Sequence, residues 1–555
     1  MPLAGEPATA PAKRSKATLV ISASSLGTMF EWYDFFLYGA LAGEIARHYF
    51  SAVNETTGYI FALAAFSAGF IVRPLGALVF GRIGDLVGRK NTFLVTMTLM
   101  GAATFAVGLL PSYETIGIAA PIILIVLRLL QGLAVGGEYG GAAIYIAEHA
   151  PPGRRGFHTS WVQTTGCLGL VLSLSVILWA RTALTPEAFA AWGWRIPFLV
   201  SILLLAISLW IRLKLNESPV FQAMKAAAAT SRAPIAEAFG RWSNLKSVLI
   251  ALALIAGQGV AFYTASFYVI TFLDRVLRVE GAAANGLMIL ALLIGAPFYV
   301  LAGWLSDRLG RRPVILAGLA LSGLLTIPLF YVLSDAANPA LGEARAAAPV
   351  VVRADPGECS LQFDPIGRNR FDATSCDIAK STLTRAGVAY ANEPLAAGAA
   401  AEVGVGERTL VAPDPGDLDA AGRAAAATAF GAQLQAALAE AGYPARADRA
   451  AINAPLAVVV IALLVMAQTL AYGPQAALLV ELFAARIRYT AMSVPYHIGQ
   501  GWFGGFVPTI GFAVVAATGD AYAGLWYPVG VIAVSLAICL FALPETRGRA
   551  VGHEG

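Results

Sequence analysis

Ionisable residues lie within the long apolar stretches of this sequence, and four of them are candidates for handling protons. Glu31 and Asp34 lie in the first stretch, and Arg128 and Glu138 lie in the fourth. An ionisable side chain held among apolar ones costs several kcal/mol, so such residues indicate function. Carboxyl groups can bind and release protons, and a guanidinium group can stabilise a nearby carboxylate. These residue types therefore predict proton coupling by Glu31, Asp34, Arg128 and Glu138.

The two acids of the first stretch are three residues apart, which places both on one face of a helix. Two close carboxylates repel each other, so one of them holds a proton more readily and can exchange it near neutral pH. Asp34 is the slightly preferred candidate. The alternative is a structural ion pair, for instance with Arg73 or Arg128, and both interpretations remain open here.

The fourth stretch carries Arg128, Gln131, Val135 and Glu138 at steps of three, four and three residues, so they share one helix face. Because a guanidinium group finds no favourable partner in lipid, this face is expected to point into the protein. Arg128 could stabilise the charged form of an acid on the first helix when the two approach. It could instead bind a substrate carboxylate through two parallel hydrogen bonds.

Further polar residues in the apolar stretches are candidates for lining a substrate cavity. Arg73 precedes Pro74 in the second stretch and could face such a cavity or extend towards an interface. The other candidates are Tyr33, Tyr38, Gln163, Gln258, Tyr263, Tyr268, Gln468, Tyr496, His497 and Gln500. A hydrogen-bonded packing role is the alternative for each of them. His497 stands out because histidine titrates near neutral pH.

The composition indicates lipid around the elements that carry these residues. Hydrophobic residues make up 58% of the chain, charged residues 13%, and the mean hydropathy is +0.68. A soluble domain has about a quarter charged residues, so this chain has too few to cover a water-exposed surface. We predict an all-α membrane protein of about twelve transmembrane helices. The predicted spans lie near 19–42, 58–80, 91–110, 118–146, 158–180, 195–213, 245–270, 284–306, 313–334, 454–482, 488–517 and 522–543.

Basic residues orient these spans, because cationic loops stay cytoplasmic. They gather in alternate short loops at Lys13, Arg14, Lys16, Arg82, Arg89, Lys90, Arg154, Arg155, Arg212, Lys214, Lys225, Arg308, Arg311, Arg312, Arg486, Arg488, Arg547 and Arg549. The opposite short loops offer little beyond Arg47, Arg181, Arg275 and Arg278. Both termini are therefore predicted to be cytoplasmic. The first stretch is too long for a signal peptide and contains two acids, so we expect a retained helix.

A charged loop occurs twice and predicts an internal duplication. Its first copy contains Gly81, Asp85, Gly88 and Arg89, and its second contains Gly303, Asp307, Gly310 and Arg311. Duplication implies two six-helix pseudo-symmetric bundles with a site between them at mid-membrane. Each Asp can accept hydrogen bonds from a neighbouring helix N-terminus, and each Arg can pair with a carboxylate, which predicts a gate latch. Topology-determining charge alone would explain the basic residues but not the two Asp residues.

The segment 335–453 differs from its surroundings, since it is rich in Ala, Gly, Pro and Asp. Short strands are predicted at 350–352 and 409–411, and helices at 376–390 and 420–442. We predict a small α/β extracytoplasmic insert between transmembrane helices 9 and 10, that is, between the spans near 313–334 and 454–482. A partly ordered acidic loop is the alternative. Its Cys359 and Cys376 suggest a disulfide worth about 3 kcal/mol. Cys167 and Cys539 fall in apolar spans and are expected to be buried thiols.

These features divide the chain into five predicted segments. They are an N-terminal six-helix bundle (1–213), a cytoplasmic linker (214–244), the first part of the C-terminal bundle (245–334), the periplasmic insert (335–453), and the second part with a cytoplasmic tail (454–555). The sequence contains no phosphate-binding glycine loop, nucleophile triad or metal-ligand cluster, which argues against an enzyme and a primary pump. We expect no metal, no cofactor and no nucleic-acid partner.

Several segments resemble a known family. The chain is similar to the major facilitator superfamily and, more narrowly, to its metabolite:proton symporter family, whose members take up citrate, 2-oxoglutarate, shikimate, proline or betaine. The matching segments are GTMFEWYDFFLYG (27–39), RPLGALVFGRIGDLVGR (73–89), RLLQGLAVGGEYGG (128–141), WGWRIPF (192–198), VELFAARIRYTAMS (480–493) and LPETR (543–547). They cover both halves of the chain and nearly everything except the insert.

The resemblance implies a monomeric secondary transporter of a bacterial inner membrane, importing a small organic acid or zwitterionic metabolite with protons by alternating access. It also associates the Arg128 motif with proton transfer. Two alternatives remain open. The first is a transporter-like sensor or receptor that uses the insert, and the second is a proton-driven exporter.

Overall fold

The computed structural model describes residues 11–53, 55–87, 89–137, 139–151, 153–213, 234–360, 371–416 and 418–549. Of residues 11–24, 84–87 and 89–91 it chiefly describes the backbone. The predicted cytoplasmic linker (214–244) falls largely outside these ranges. Only its last part is described, as a short helix followed by the start of the next long one.

The first half of the chain is helical. Its helices are α1 (Pro11–Ala40), α2 (Ala42–Tyr49), α3 (Glu55–Ile71), α4 (Arg73–Val87), α5 (Arg89–Leu109), α6 (Tyr113–Ile116), α7 (Ala119–Gly136), α8 (Tyr139–His149), α9 (Arg155–Ala183), α10 (Pro186–Ala191) and α11 (Ile196–Leu213). Several adjoining pairs, such as α3 with α4 and α7 with α8, follow each other with only a residue or two between them.

The second half contains further long helices and one segment with strands. Its helices are α12 (Pro234–Gly240), α13 (Trp242–Tyr263), α14 (Val269–Thr271), α15 (Gly281–Leu309), α16 (Arg311–Ala337), α17 (Pro339–Ala347), α18 (Ser375–Arg385), α19 (Ala420–Glu440), α20 (Ala454–Tyr472), α21 (Gln475–Leu482), α22 (Arg488–His497), α23 (Val507–Thr518) and α24 (Trp526–Ala542). Wider π-helical turns occur at Thr264–Tyr268, Phe272–Val276 and Ile498–Gly504.

Ten helices in the described part of the chain are long and apolar enough to cross a membrane. Their apolar runs often extend past the predicted spans, as in α15, which covers 281–309 where a span over 284–306 was predicted. Helix α5 contributes a shorter apolar run, Leu94–Leu109. The total of twelve spans stays a prediction.

Glycines let helices approach to backbone contact. A Cβ on Gly132 of α7 would lie 1.8 Å from the carbonyl oxygen of Gly69 in α3. A Cβ on Gly156 of α9 would lie 2.4 Å from the carbonyl oxygen of Gly303 in α15, and the reverse distance is also 2.4 Å. No other residue fits at these positions without moving a helix. The second contact joins the two halves of the chain, so Gly303 has a packing role in addition to its place in the repeated loop.

Between α16 and α20 the structure has a four-stranded sheet. Its strands are β1 (Val350–Ala354), β2 (Ala391–Pro394), β3 (Glu402–Val405) and β4 (Arg408–Val411), in the order β2-β1-β3-β4. Strand β1 pairs in parallel with β2, and helix α18 lies between these two strands along the chain. Strand β1 also pairs antiparallel with β3. Alternate residues of β1, beginning with Val350, are buried, as a strand with one face on helices requires. Strands β2 and β3 and helix α17 were not predicted.

A disulfide joins Cys359 and Cys376, whereas Cys167 and Cys539 are buried free thiols. The sheet segment and the second copy of the charged loop lie at opposite ends of α16, which has 27 residues and is therefore about 40 Å long. We call the end with Asp307 the motif face and the end with the sheet the insert face.

Candidate functional site

Arg73 begins α4, immediately after the short break that ends α3, and its side chain is completely buried. Its guanidinium carbon lies 4.0 Å from the centre of the Phe35 ring and 4.3 Å from that of Phe70. Among the described residues no carboxylate pairs with its guanidinium group, and the Tyr263 hydroxyl is its nearest polar neighbour. Tyr263 and Tyr496, from the other half of the chain, lie near enough to interact with it electrostatically. Arg73 therefore presents a buried cation at the interface between the halves.

Arg128 occupies the same apolar environment. Its guanidinium carbon lies 4.8 Å from the Phe35 ring centre and 4.5 Å from that of Tyr38, so one aromatic ring, Phe35, contacts both arginines. Arg128 donates to Gln131 Oε1 at 2.6 Å, and Gln131 donates in turn to the Thr104 hydroxyl at 2.8 Å. The shared helix face predicted for Arg128 and Gln131 is present, and it points into the protein.

Both acids of α1 are buried: Glu31 is 6% exposed and Asp34 is 5% exposed. Oδ1 of Asp34 has no hydrogen-bond partner among the described residues, and no ion pair there joins Asp34 to Arg73 or Arg128. Glu138 lies outside the described residues. Asp34 is thus buried without an ion pair to either arginine among the described residues, while the roles of all four residues remain predictions.

The other candidate side chains divide into two groups. Tyr33 and Gln163 are used within the first half, since Tyr33 donates to the Pro197 carbonyl at 2.7 Å and Gln163 to the Tyr139 hydroxyl at 2.6 Å. Gln258 accepts a hydrogen bond from Gln500. These contacts agree with the packing alternative.

The second group keeps unused polar atoms at the interface between the halves. The Tyr38 hydroxyl has no hydrogen-bond partner among the described residues, and the fully buried His497 has the backbone of Gly136 as the polar neighbour of its ring. The Tyr263 ring meets Phe70 edge-on at 5.3 Å. These three residues remain candidates for contact with a ligand beside Arg73.

Sequence reasoning missed an aromatic stack that joins the halves. Tyr139 of α8 stacks on Tyr496 of α22 with ring centres 3.5 Å apart, and the hydroxyls of Tyr496 and Tyr472 lie 3.0 Å apart. A tyrosine in an apolar stretch gives no signal of its partner, because stacking depends on how two distant helices meet. Only the assembled helices reveal this row of phenols beside Arg73.

At the motif face, Asp307 links the two halves. Its carboxylate accepts hydrogen bonds from the backbone N–H groups of Gly156, at 2.9 Å, and Phe157, at 2.8 Å, at the start of α9. The first N–H groups of a helix have no partner within it and carry partial positive charge, so a carboxylate complements them. Gly310 ends α15 with a φ of 109°, a left-handed conformation that favours glycine.

Arg311 extends this network to Glu481. Its Nη1 lies 2.6 Å from Asp307 Oδ1, and its Nε and Nη2 donate to the two oxygens of Glu481 at 3.2 and 3.1 Å. Glu481 also lies 3.8 Å from Arg155 Nη1 and accepts from the Thr546 hydroxyl at 2.8 Å. For α9 to move away from α15 at this end, the contacts of Asp307 with the start of α9 and of Glu481 with Arg155 must break, while those of Arg311 can persist within the second half.

A related arrangement occurs on the opposite side of the interface. Arg488 Nη1 of α22 lies 3.5 Å from Glu148 Oε1 of α8, and both side chains are buried. The Tyr489 hydroxyl donates to the Gly137 carbonyl, and a Cβ on Gly81 would lie 3.2 Å from the Tyr489 ring. The latch contacts predicted for Asp85, Gly88 and Arg89 fall outside the described side chains.

Sequence reasoning also missed the acids that complete the network, although a signal was present. Glu148 and Arg155 are seven residues apart, and so are Glu481 and Arg488. The structure pairs them crosswise, Glu148 with Arg488 and Glu481 with Arg155. A repeated acid-to-arginine spacing in both halves could therefore have identified this second duplicated element.

Comparisons with known proteins agree with this architecture. Residues 24–345 match the profile of the Major Facilitator Superfamily. The chain is 37% identical over 333 residues to the proline/betaine transporter of Escherichia coli (strain K12), covering 58% of this chain and 65% of the relative. It is 38% identical over 329 residues to the shikimate transporter of the same strain, covering 58% of this chain and 73% of the relative.

The citrate-proton symporter of Klebsiella pneumoniae is 36% identical over 331 residues, which cover 59% of this chain and 72% of the relative. For the proline/betaine transporter, the match spans slightly less than two thirds of the relative's length. Among solved structures, the proton:xylose symporter XylE bound to 6-bromo-6-deoxy-D-glucose aligns over 98% of each chain with a TM-score of 0.63. At 14% identity this likeness concerns the fold alone.

The family profile covers more than half of the chain, and relatives above 30% identity are matched over more than two thirds of their length. The resemblance predicted from the motifs is confirmed, and with it the prediction that the chain is not an enzyme. Together with the apolar helices, these matches identify the chain as a multi-pass membrane protein that belongs to the Major Facilitator Superfamily.

Proposed function

We propose that this chain imports a small carboxylated metabolite together with protons, by alternating access. The observation that carries the proposal is Arg73, a completely buried guanidinium group whose charge no carboxylate balances among the described residues, with only phenols such as Tyr263 beside it. Burying an unpaired charge is strongly unfavourable, so such a group is expected to have a ligand in part of the working cycle. A carboxylate is the best match, because it accepts two parallel hydrogen bonds from one guanidinium group.

The surroundings of Arg73 suggest how such a substrate would be held. Phe35 and Phe70 flank the guanidinium group and keep it in place, while Tyr263 and His497 approach from the other half of the chain. A zwitterion such as an amino acid or a betaine also fits, since its cationic end could face an aromatic ring. The substrates named for the related proline/betaine, shikimate and citrate transporters all carry a carboxylate.

Asp34 is the preferred coupling residue. Its carboxyl group is buried without an ion pair to Arg73 or Arg128 among the described residues, so a bound proton would stabilise the conformation seen here. Movement that brings Asp34 near Arg128 would favour release of that proton. This alternation would link proton binding to conformation, with Glu31 and Glu138 as further candidates in the path.

The motif-face network would act as the latch that alternates with the substrate site. Opening this face separates α9 from α15, which breaks the contacts of Asp307 with Gly156 and of Arg155 with Glu481. In the proposed topology the chain is a monomer with twelve helices in two bundles, both termini are cytoplasmic and the motif face is cytoplasmic. Residues 335–453 are then periplasmic, and the membrane is a bacterial inner membrane.

Transport by purified protein in proteoliposomes tests the proposal. Labelled citrate, 2-oxoglutarate, shikimate, proline and betaine would be offered with and without an imposed pH gradient, acid outside. We expect gradient-dependent accumulation of at least one of them, abolished in Arg73→Gln and retained in Arg408→Gln, which changes an exposed arginine outside the spans. Full uptake by Arg73→Gln would contradict the assignment of Arg73 to the substrate.

Coupling is tested by replacing Asp34. Asp34→Asn is expected to abolish accumulation driven by the pH gradient while preserving exchange of labelled for unlabelled substrate, because exchange needs no net proton movement. Glu187→Gln is the matched control, since Glu187 is exposed and lies outside the spans. Gradient-driven accumulation by Asp34→Asn at the rate of the unmodified protein would exclude Asp34 from coupling.

A second candidate is a sensor that uses the transporter scaffold. Helix α18 contacts both α3 of the first half and α23 of the second, so a ligand on the insert could influence both halves. Binding of a substrate without any flux in either direction would favour this candidate. Uptake that persists when α18 is loosened by removing its disulfide would oppose it.

A further inference from the structure

A cavity lies at the insert face, where the insert meets the ends of the long helices. Its volume is about 20 Å³, which is room for about one water-sized species, and it is partly open to solvent. Its wall includes Arg275, Arg345, Gly387, Tyr390, Phe512 and Gly519. These residues belong to three parts of the molecule, namely the end of the span that begins with α13, the insert, and the end of α23 together with the turn that follows it. No part of it belongs to the central site beside Arg73.

The insert is docked on this region by several hydrogen bonds. The backbone N–H of Tyr390 donates to the Gly519 carbonyl at 3.0 Å, and the Tyr390 hydroxyl donates to the Ala516 carbonyl at 3.2 Å. Asn392 donates to the Thr518 carbonyl at 2.8 Å. The wall of the cavity is therefore built by the fold and is not a chance gap between loosely placed segments.

Arg345 supplies unused hydrogen-bond donors at this junction. It lies on α17, and its Nε and Nη2 are inaccessible to solvent without a hydrogen-bond partner among the described residues. No carboxylate lines the cavity within the described part of the chain. Asp520 is near enough to act on Arg345, but it is exposed and accepts instead from the backbone N–H of Tyr522, at 2.8 Å.

Two further arginines add positive charge. Arg278 lies behind Gly387 and donates to the carbonyls of Pro444 and Ala386, which are neutral acceptors. Arg275 lies 3.3 Å from Asp274, so its charge is partly balanced, and its guanidinium carbon is 4.1 Å from the Tyr59 ring centre of α3.

The arginines of this junction are held in an environment that disfavours their charge. Burial, and then repulsion by Arg345, lowers the pKa of Arg278 to about 10. Burial also lowers the pKa of Arg345, although Tyr522, Tyr443 and Asp520 oppose that effect. A bound anion would offset both the burial and the mutual repulsion.

From this geometry we propose that the cavity is a binding site for a small monovalent anion, either chloride or the carboxylate group of a small acid, held by Arg345 with Arg275 and Arg278 close by. The inference does not depend on the transported substrate. Because the wall combines the insert with α23, and Arg275 also contacts Tyr59 of α3, a bound anion stabilises the insert against the outer ends of both halves.

Binding to purified full-length protein in detergent tests the proposal without requiring transport. Thermal unfolding would be followed while chloride or acetate replaces gluconate at constant ionic strength, and binding of radiolabelled chloride and acetate would be measured by equilibrium dialysis. We expect saturable binding that raises Tm. In Arg345→Gln the apparent affinity is expected to fall about tenfold or more, as loss of a charged hydrogen-bond donor requires. Arg408→Gln, an exposed insert arginine paired with Glu440, is expected to behave like the unmodified protein.

Two further variants locate the anion. Val515→Phe narrows the cavity without changing charge, so it is expected to weaken binding even if Arg345→Gln does not fold. Arg73→Gln removes the central cation and is expected to leave this binding unchanged. Loss of binding in Arg73→Gln, absence of saturable binding to the unmodified protein, or equal binding in Arg345→Gln and Arg408→Gln would each overturn the proposal. Chloride binding alone, or acetate binding alone, identifies which anion the site takes.

Discussion

At the residue scale, the two central arginines share one aromatic ring but have different environments. Arg128 donates to the amide oxygen of Gln131 in its own half, whereas Arg73 faces the phenol of Tyr263 from the other half and has no amide or carboxylate acceptor among the described residues. A planar guanidinium group can stack on Phe35 and still direct its edge to a carboxylate, which a lysine ammonium cannot do. This difference favours Arg73 for substrate contact and Arg128 for a role within the first half.

Glu481 offers a stability prediction at the same scale. Its carboxylate balances Arg311 and Arg155, and its side chain is 1% exposed. Glu481→Ala removes the carboxylate shared by Arg155 and Arg311 and leaves Arg311 with Asp307. Loss of a buried ion-pair partner is expected to cost about 3–5 kcal/mol of unfolding free energy. The matched control is Glu393→Ala, because Glu393 pairs with Arg353 at the surface and such pairs contribute about 1 kcal/mol or less.

Thermal unfolding of the two variants in detergent provides the comparison. Tm is expected to fall strongly for Glu481→Ala and little for Glu393→Ala. Equal Tm values for both variants would show that the motif-face network contributes no more than a surface pair.

Glu545 gives a prediction about pH. Although burial opposes it, backbone N–H groups of Arg547, Arg311, Arg312 and Thr546 hold the pKa of Glu545 below its ordinary value of 4.5. A lowered folded-state pKa contributes stability above pH 4.5 that is lost as the pH falls through the folded-state value. Glu545→Gln is therefore expected to lower Tm at pH 7 and to converge with the unmodified protein in acid. A gap between the two that stays constant down to pH 3 would contradict this assignment.

At the scale of elements, α18 is the part of the insert that touches both halves. It packs on α3 and α23, and the disulfide between Cys359 and Cys376 holds its first turn. Thr374 caps the same turn by accepting from the backbone N–H of Asp377 at 3.1 Å. The disulfide thus stabilises α18, through which the insert packs on α3 and α23.

Removing that disulfide should loosen α18 selectively. In the double variant Cys359→Ser, Cys376→Ser, amide hydrogen exchange in α18 is expected to accelerate, since such a crosslink contributes about 3 kcal/mol. Helix α19 serves as the internal control because the disulfide does not hold it. Unchanged exchange in α18, or detection of both cysteines as free thiols in protein from intact membranes, would contradict the prediction.

At the scale of the whole molecule, the two halves meet through related but unequal contacts. On one side Gly156 and Gly303 bring backbones together, and on the other Tyr489 packs on Gly81. Each contact has an ion pair beside it: Arg155 with Glu481 next to Gly156, and Arg488 with Glu148 next to Tyr489. The motif face is closed by charge, and the insert face is covered by the added segment.

The proposed topology can be checked by labelling. Arg408→Cys places a thiol on the exposed surface of the insert, and Arg308→Cys places one at the exposed motif face. A membrane-impermeant maleimide added to intact cells is expected to label the first variant and not the second. Permeabilised cells provide the control in which both react. Labelling of Arg308→Cys in intact cells would reverse the orientation.

Much of the fold could be predicted from the sequence because lipid imposes a simple rule. A helix must be apolar over about 20 residues to cross the bilayer, so α15, α16 and α20 are visible as unbroken apolar runs. The superfamily could be recognised because the loop containing Asp307 and Arg311 occurs twice. Strands β2 and β3 were missed because β2 contains Asn392 and Pro394 and β3 contains Gly404, residue types that are depleted in strands.

The sequence by itself determined the membrane class, the duplication and the presence of buried charges, because composition and spacing are local properties of the chain. Only the tertiary structure decided which partner each charge has. Asp307 meets the start of α9 about 150 residues earlier in the chain, and Glu481 meets Arg155 rather than the neighbouring Arg488. Such pairings depend on how separate helices pack, and helix packing is set by contacts such as Gly156 against Gly303 that have no signature within either helix alone.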